Sequence, residues 1–79
     1  MTVQVLFFGA TADSVGEREI DFSIKEDSTA DEVFGEIVKK FPRLTEHKLL
    51  FSLNQEYARG DEILQDRDEL AIFTAVSGG

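Results

Sequence analysis

The residues with the clearest chemical potential are the last two, Gly78 and Gly79. Glycine has no Cβ and adopts conformations that other residues avoid, so a Gly-Gly end can enter a narrow channel and bring its carboxylate to a buried site. That carboxylate has a pKa of about 3.3–3.7, so it is ionised at neutral pH and is a poor electrophile. Activation by another protein, for example as an acyl-adenylate, would open the Gly79 carbonyl to attack by a sulfur donor or a lysine amine.

The absence of cysteine sharpens this interpretation. It excludes thiolate catalysis and cysteine-ligated zinc. If the chain carries sulfur covalently, no thiol side chain can hold it, and the terminal carbonyl is the natural place. The sequence therefore predicts a carrier whose working part is its C-terminal tail. A frayed or trimmed end is the alternative interpretation of the two glycines.

No other set of side chains predicts a catalytic or metal site. His47 is the only histidine and lies in a polar stretch, so we expect a surface role for it. Asp66 and Asp68 are typical of turns, and the glycines before the tail are too far apart to cradle a phosphate. We therefore expect a protein that is not an enzyme by itself, with no metal and no permanently bound cofactor.

Composition also limits the partners. The net charge is -8, whereas nucleic-acid binding depends on Lys and Arg side chains that neutralise phosphates. The N-terminal residues show no basic region and no long apolar run, so we expect no signal peptide and no membrane span. With no cysteine to form disulfides, a cytoplasmic location is the expectation.

Hydrophobic periodicity predicts several strands and one main helix. Alternation of apolar residues indicates a strand, and a stripe at spacings of three and four indicates a helix. The predicted strands are 1–8, 19–24, 49–53, 56–58 and 69–76, with a short helical turn at 11–15. The main helix starts at Ser28 or Thr29, where Thr29 and Glu32 fit a capping box, and Pro42 ends it after Phe41.

Two smaller features complete the pattern. Ile63 and Leu64 are expected to anchor the loop at 59–68 to the core. Gly35 lies within the predicted helix, where glycine costs about 1 kcal/mol, and close packing is one explanation for its presence.

This order of elements predicts an α+β fold of the ubiquitin-like β-grasp kind, in which a mixed sheet of about five strands packs on one main helix. The first and last strands are expected side by side at the centre of the sheet. We assign residues 1–76 to the folded domain and residues 77–79 to a flexible Ser-Gly-Gly tail.

A second set of apolar residues does not belong to the predicted helix-facing core. It consists of Leu6, Phe8, Tyr57 and Phe73. Ordinary packing and scattered surface positions are one interpretation. The other is a docking patch for a partner protein, which a contiguous exposed apolar surface would favour.

Four segments together resemble one known family. They are Val5 to Phe8, Leu53-Asn54-Gln55, the stretch from Gly60 to Leu70, and the ending Ile72 to Gly79. Over essentially its whole length the chain resembles the small, sulfur-carrying subunits of molybdopterin synthase, which are ubiquitin-like β-grasp proteins. The opening strand and the ending are the most specific parts of the match.

The resemblance implies a reaction sequence at the tail. An ATP-dependent activating enzyme would adenylate Gly79, and sulfur transfer would convert it to a thiocarboxylate. The tail, threaded through Gly78, would enter the active site of the large synthase subunit and give sulfur to a pterin precursor. Two small and two large subunits usually form a heterotetramer. Val76 and Ser77, in the ending, join the apolar set as expected partner-binding residues.

One departure from the family pattern lies just before the tail. The family commonly has Pro-Pro where this chain has Thr74-Ala75, and proline would hold the stalk extended at low entropic cost. Without proline, we expect a stalk that is looser or paired further along the sheet.

Other functions remain open from the sequence. A carrier for thiamine or cysteine synthesis would use the same chemistry with a different acceptor. A ubiquitin-like modifier would instead join Gly79 to lysines of target proteins. A pure interaction domain would not need Gly78 and Gly79 at all.

Overall fold

Strands β1 (Thr2–Phe7) and β5 (Glu69–Thr74) lie side by side and parallel in the computed structural model, which describes residues 1–75. Their neighbours are antiparallel, and the strand order across the sheet is β2-β1-β5-β3-β4. The remaining elements are α1 (Ala10–Val15), β2 (Glu19–Ser23), α2 (Ala30–Lys40), a 3₁₀ helix (Pro42–Glu46), β3 (Leu49–Leu53) and β4 (Glu56–Tyr57). This mixed sheet with one main helix confirms the predicted α+β β-grasp fold.

Helix α2 begins and ends where its local sequence requires. The Thr29 side chain accepts from the backbone N–H of Glu32, and the Glu32 carboxylate accepts from that of Thr29, which completes a capping box. This arrangement satisfies donors that the first turn leaves unpaired. At the other end, Phe41 precedes Pro42 and leaves the helical conformation.

The core lies between α2 and one face of the sheet. Alternate residues of the two central strands point toward the helix because strand side chains alternate between faces. The fully buried members of this core include Val3, Val5, Val33, Ile37, Leu44, Leu64, Leu70 and Ile72. Leu44 comes from the 3₁₀ helix, which the sequence analysis did not predict.

The expectation for Ile63 is wrong, and the explanation offered for Gly35 does not hold. Leu64 is buried as predicted, but Ile63 is 48% exposed, because it meets Thr29 through a backbone bridge and its side chain alternates outward. Gly35 lies on the exposed surface of α2, and a Cβ built on it meets no atom within 4 Å. Close packing therefore does not explain this glycine.

Gly60 does have a conformational requirement. Its φ of 113° is one that other residues rarely adopt, and a Cβ there would overlap the Asp31 carboxylate. The carbonyl of Gly60 also accepts from the Asp31 N–H at the start of α2.

The predicted boundary after residue 76 lies outside the described residues. Neither α1, α2 nor the 3₁₀ helix, within residues 1–75, is long and apolar enough to cross a membrane.

Candidate functional site

The sheet face opposite α2 presents an apolar surface. The apolar face, as we name it, consists of Leu6, Phe8, Leu50, Tyr57 and Phe73. Phe73 pairs with Leu50 across β5 and β3, while Leu6 pairs with Ala71 across β1 and β5. The rings of Tyr57 and Phe73 lie 6.0 Å apart at their centroids, so β4 continues the surface.

Exposure distinguishes this surface from the core. Tyr57 is 75% exposed, Phe8 is 52% exposed and Leu50 is 38% exposed, whereas Leu6 and Phe73 are half-buried. Large side chains held this far out of the core, on neighbouring strands, are typical of interaction surfaces. The structure therefore brings together all four residues of the predicted second apolar set.

Leu50 is the member that the sequence analysis missed. The strand at 49–53 was predicted correctly, and alternation along it places Leu50 and Ser52 on the face opposite Leu49, Phe51 and Leu53. Period-two alternation in this strand was thus a sufficient signal to place Leu50 on the apolar face.

The stalk before the terminal glycines follows the sheet closely. Thr74 pairs with Leu49, and the Ala75 N–H donates to the Lys48 carbonyl oxygen across 3.1 Å. Of the two alternatives for a stalk without proline, further pairing along the sheet is the one observed, as far as residue 75. Val76, Ser77, Gly78 and Gly79 lie outside the described residues, so their expected roles stay predictions.

His47 has a defined polar partner. Its half-buried ring lies with Nε2 at 2.8 Å from the Ser14 hydroxyl, which links the end of the 3₁₀ helix to α1. Within residues 1–75, no group of three histidine and carboxylate side chains is arranged to hold a metal ion.

Asp66 and Asp68 stabilise the turn before β5. Asp66 accepts from the Thr2 N–H at 2.9 Å, and Asp68 accepts from the Gln65 N–H at 2.7 Å. Asp68 also accepts from the Asn54 side chain at 3.1 Å. Asp68 therefore closes the turn through a local contact, whereas Asp66 ties the turn to the start of β1.

The carboxylate of Glu62 accepts backbone hydrogen bonds in the loop before β5. Backbone N–H groups, chiefly that of Arg59 and also those of Glu62 itself and Gly60, lower the pKa of the Glu62 carboxyl from its ordinary value of 4.5. The Arg59 and Gly60 bonds are each 2.7 Å long. This arrangement holds the loop before β5 and offers no catalytic group.

Comparison with known proteins gives matches over nearly the full length. The model of the ThiS family matches residues 5–79. The molybdopterin synthase sulfur carrier subunit of Arabidopsis thaliana is 35% identical over 98% of this chain and 82% of its own length. The protein of the same name from Homo sapiens is 33% identical over 98% of this chain and 93% of its own length.

Solved structures match the fold. SAMP1 from Haloferax volcanii has a TM-score of 0.88 and is 25% identical, with 100% of both chains covered. A chain in the complex of subunits 1 and 2 of molybdopterin-converting factor from Helicobacter pylori has a TM-score of 0.71 at 23% identity, again with 100% of both chains covered.

Proposed function

This chain belongs to the ThiS family and to the family of molybdopterin synthase sulfur carrier subunits, and on that basis we propose that it carries sulfur for molybdenum cofactor synthesis. The proposed working group is the carboxylate of Gly79. The observation that carries the proposal is the whole-length match to sulfur carrier subunits of other organisms, which includes the glycine ending at residue 79.

The chemistry of the tail follows from the low reactivity of a carboxylate. An activating enzyme would join Gly79 to the α-phosphate of ATP with release of pyrophosphate, because an acyl-adenylate has a good leaving group. A sulfur donor would then displace AMP and leave a thiocarboxylate. ATP is consumed by the enzyme and is not a resident cofactor of this chain, and we place these steps in the cytoplasm.

The apolar face supports the need for partners in this scheme. It lies on β5 and its neighbours, next to the stalk that the Lys48 and Ala75 pairing holds to the sheet. A partner that covers Tyr57 and Phe73 would therefore be positioned close to Ala75, the last described residue before the tail. We propose that the large synthase subunit docks here, in a heterotetramer whose active site lies on that subunit, and that the activating enzyme is a second partner that uses the same face at an earlier stage.

The solved complex from Helicobacter pylori shows a protein of the same fold bound to a second subunit. It supports the docking proposal for this chain by analogy of fold.

Mass spectrometry of the intact chain tests the proposal. The protein is incubated with the activating enzyme, ATP and a sulfur donor, and the expected result is a mass increase equal to the replacement of one oxygen by sulfur. A variant lacking Gly79 and a variant with one alanine added after it are the controls, and neither should gain sulfur. An unchanged wild-type mass under conditions that load a known carrier subunit would overturn the proposal.

A protein modifier is the second candidate. It is favoured by the similarity to SAMP1, since a solved structure from Haloferax volcanii is described as small archaeal modifier protein 1. This function would appear as branched peptides in which Gly79 is joined to lysines of many proteins.

Restoration of molybdenum cofactor synthesis in cells that lack their own small subunit separates the first candidate from carriers for thiamine or cysteine synthesis.

A further inference from the structure

The strand that leads to the tail loses one of its two neighbours before it ends. On the β1 side, the last backbone hydrogen bond runs from the Phe8 N–H to the Ile72 carbonyl oxygen, at 3.1 Å. The chain then turns at Gly9, with a φ of 59°, and enters α1. Beyond Ile72, within residues 1–75, the backbone of the final strand pairs with β3 up to Ala75.

A buried hydroxyl lies at this junction. Thr11, in the first turn of α1, has no exposed surface. Its Oγ1 lies 2.7 Å from the Phe8 carbonyl oxygen and 3.0 Å from the Ile72 carbonyl oxygen, so one proton is shared between two acceptors. The Thr11 N–H also donates to the Phe8 carbonyl oxygen at 3.2 Å.

The two contacts of this hydroxyl differ in origin. A bond from a helical hydroxyl to the carbonyl three residues earlier is a local feature that many Ser and Thr residues make. The bond to Ile72 crosses 61 residues of sequence and connects α1 to the strand that leads to the tail. Thr11 thus bonds β5 at the point where its pairing with β1 ends.

We propose that Thr11 is a positioning residue that fixes the direction in which β5 delivers the C-terminal tail. The proposal rests on the proposed function in one respect, namely that the tail is the reacting part. Without the hydroxyl, Ile72 keeps only the Phe8 N–H as a donor from that side, and the end of the strand can pivot about its pairing with β3. A small misplacement of a reacting group lowers turnover strongly.

The same geometry predicts which kinetic constant changes. Within the apolar face, Leu50, Tyr57 and Phe73 lie on β3, β4 and β5 and form no hydrogen bond with the hydroxyl, whereas the backbone carbonyl of Phe8 accepts one. The hydroxyl thus bonds backbone atoms and no side chain of the apolar face, so docking of a partner depends less on Thr11 than delivery of the tail does. We expect the kcat of adenylation to fall, with little change in the KM of the activating enzyme for this protein.

Two substitutions separate positioning from packing. Thr11→Val keeps the size of the side chain but removes the hydroxyl, and Thr11→Ser keeps the hydroxyl but removes a buried methyl group. Adenylation is followed by pyrophosphate release with the activating enzyme and ATP. We expect kcat to fall about threefold to tenfold in Thr11→Val with KM unchanged, and to stay near wild type in Thr11→Ser.

Amide hydrogen exchange gives a readout that does not need the partner. In Thr11→Val the Ala75 amide, which bonds the Lys48 carbonyl oxygen, should exchange about tenfold faster than in wild type, relative to amides of the core. In Thr11→Ser it should exchange as in wild type.

The outcomes distinguish the two proposals. Equal kcat in wild type and Thr11→Val, or an equal defect in Thr11→Ser and Thr11→Val, overturns the positioning role. If wild type releases no pyrophosphate and gains no sulfur, the proposed function fails. In that case the exchange rates alone decide the role of Thr11: selective acceleration in Thr11→Val upholds it, and identical rates overturn it.

Discussion

The Ala75 N–H donates to the carbonyl oxygen of Lys48 across 3.1 Å, one residue beyond the end of β5. Proline at this position could not make the bond, since it has no N–H. The Thr74-Ala75 sequence therefore lets the sheet hold the stalk by hydrogen bonding. A Pro-Pro stalk would instead be held extended by the fixed φ of proline.

Loss of the Ala75 N–H should reduce the stability of the fold. Ala75→Pro should lower the free energy of unfolding by about 1 kcal/mol, the contribution of one hydrogen bond. Ala75→Ser keeps the N–H and the small size, and it should leave stability near wild type. Urea denaturation measures both variants. Equal stability of the two would show that the pairing of Ala75 with Lys48 contributes nothing.

Tyr57 is the strongest candidate for a binding hot spot. Its side chain is 75% exposed and its ring lies 6.0 Å from that of Phe73, so it can be buried by a partner with little change to the fold. Tyr57→Ala should weaken binding to the large synthase subunit by about 30-fold, equivalent to about 2 kcal/mol, with unfolding unchanged.

Ile63→Ala is the matched control for Tyr57→Ala. Ile63 is also a large apolar side chain, 48% exposed, but it lies outside the apolar face. Titration calorimetry with the large subunit should show wild-type affinity for this variant. Similar losses in both variants would contradict a localised docking face.

Local signals explain why most of the fold could be predicted. The capping box of Thr29 and Glu32 and the stop at Pro42 lie within a few residues of the helix ends that they determine. The alternation in β1 likewise separated buried Val5 from half-buried Leu6. Because these signals operate over short distances, one sequence was enough to place them.

The parts that were missed depend on contacts between distant residues. The 3₁₀ helix carries one buried side chain, Leu44, and a single apolar residue has no periodicity to detect. Thr11 looked like an ordinary helix residue, since its bond to Ile72 depends on the tertiary fold. The roles assigned to Gly78 and Gly79 came from chemistry and resemblance, and they stay predictions.

Gly35 and Gly60 should respond in opposite ways to replacement by alanine. Gly35 lies on the exposed surface of α2 with open space where a Cβ would be, so Gly35→Ala should raise the free energy of unfolding by about 0.5–1 kcal/mol. Gly60→Ala should lower it by about 1–3 kcal/mol, because its φ of 113° strains any residue with a Cβ. Thermal and urea unfolding measure both changes. A loss of stability in Gly35→Ala would mean that this position makes contacts in solution that the structure lacks.

Glu62 should make stability depend on pH in the acid range. Its carboxylate accepts from the N–H groups of Arg59 and Gly60, and these bonds hold its pKa below the ordinary value of 4.5 in the folded state. A lowered folded pKa means that the unfolded chain takes up the proton first as pH falls. The stabilising contribution is therefore fully present above about pH 4.5 and is lost as the pH falls through the folded pKa.

Substitution isolates this contribution from that of the other carboxylates. Glu62→Gln should be less stable than wild type at pH 7, because a neutral amide is a weaker acceptor for the two N–H groups than a carboxylate. The difference should shrink below pH 4.5 and close once Glu62 is protonated in the folded wild type. Glu36→Gln removes a carboxylate from the exposed surface of α2 and controls for the change in net charge. Urea unfolding from pH 7 to pH 3 measures the three proteins, and a wild-type advantage over Glu62→Gln that stays constant across this range would contradict the assignment.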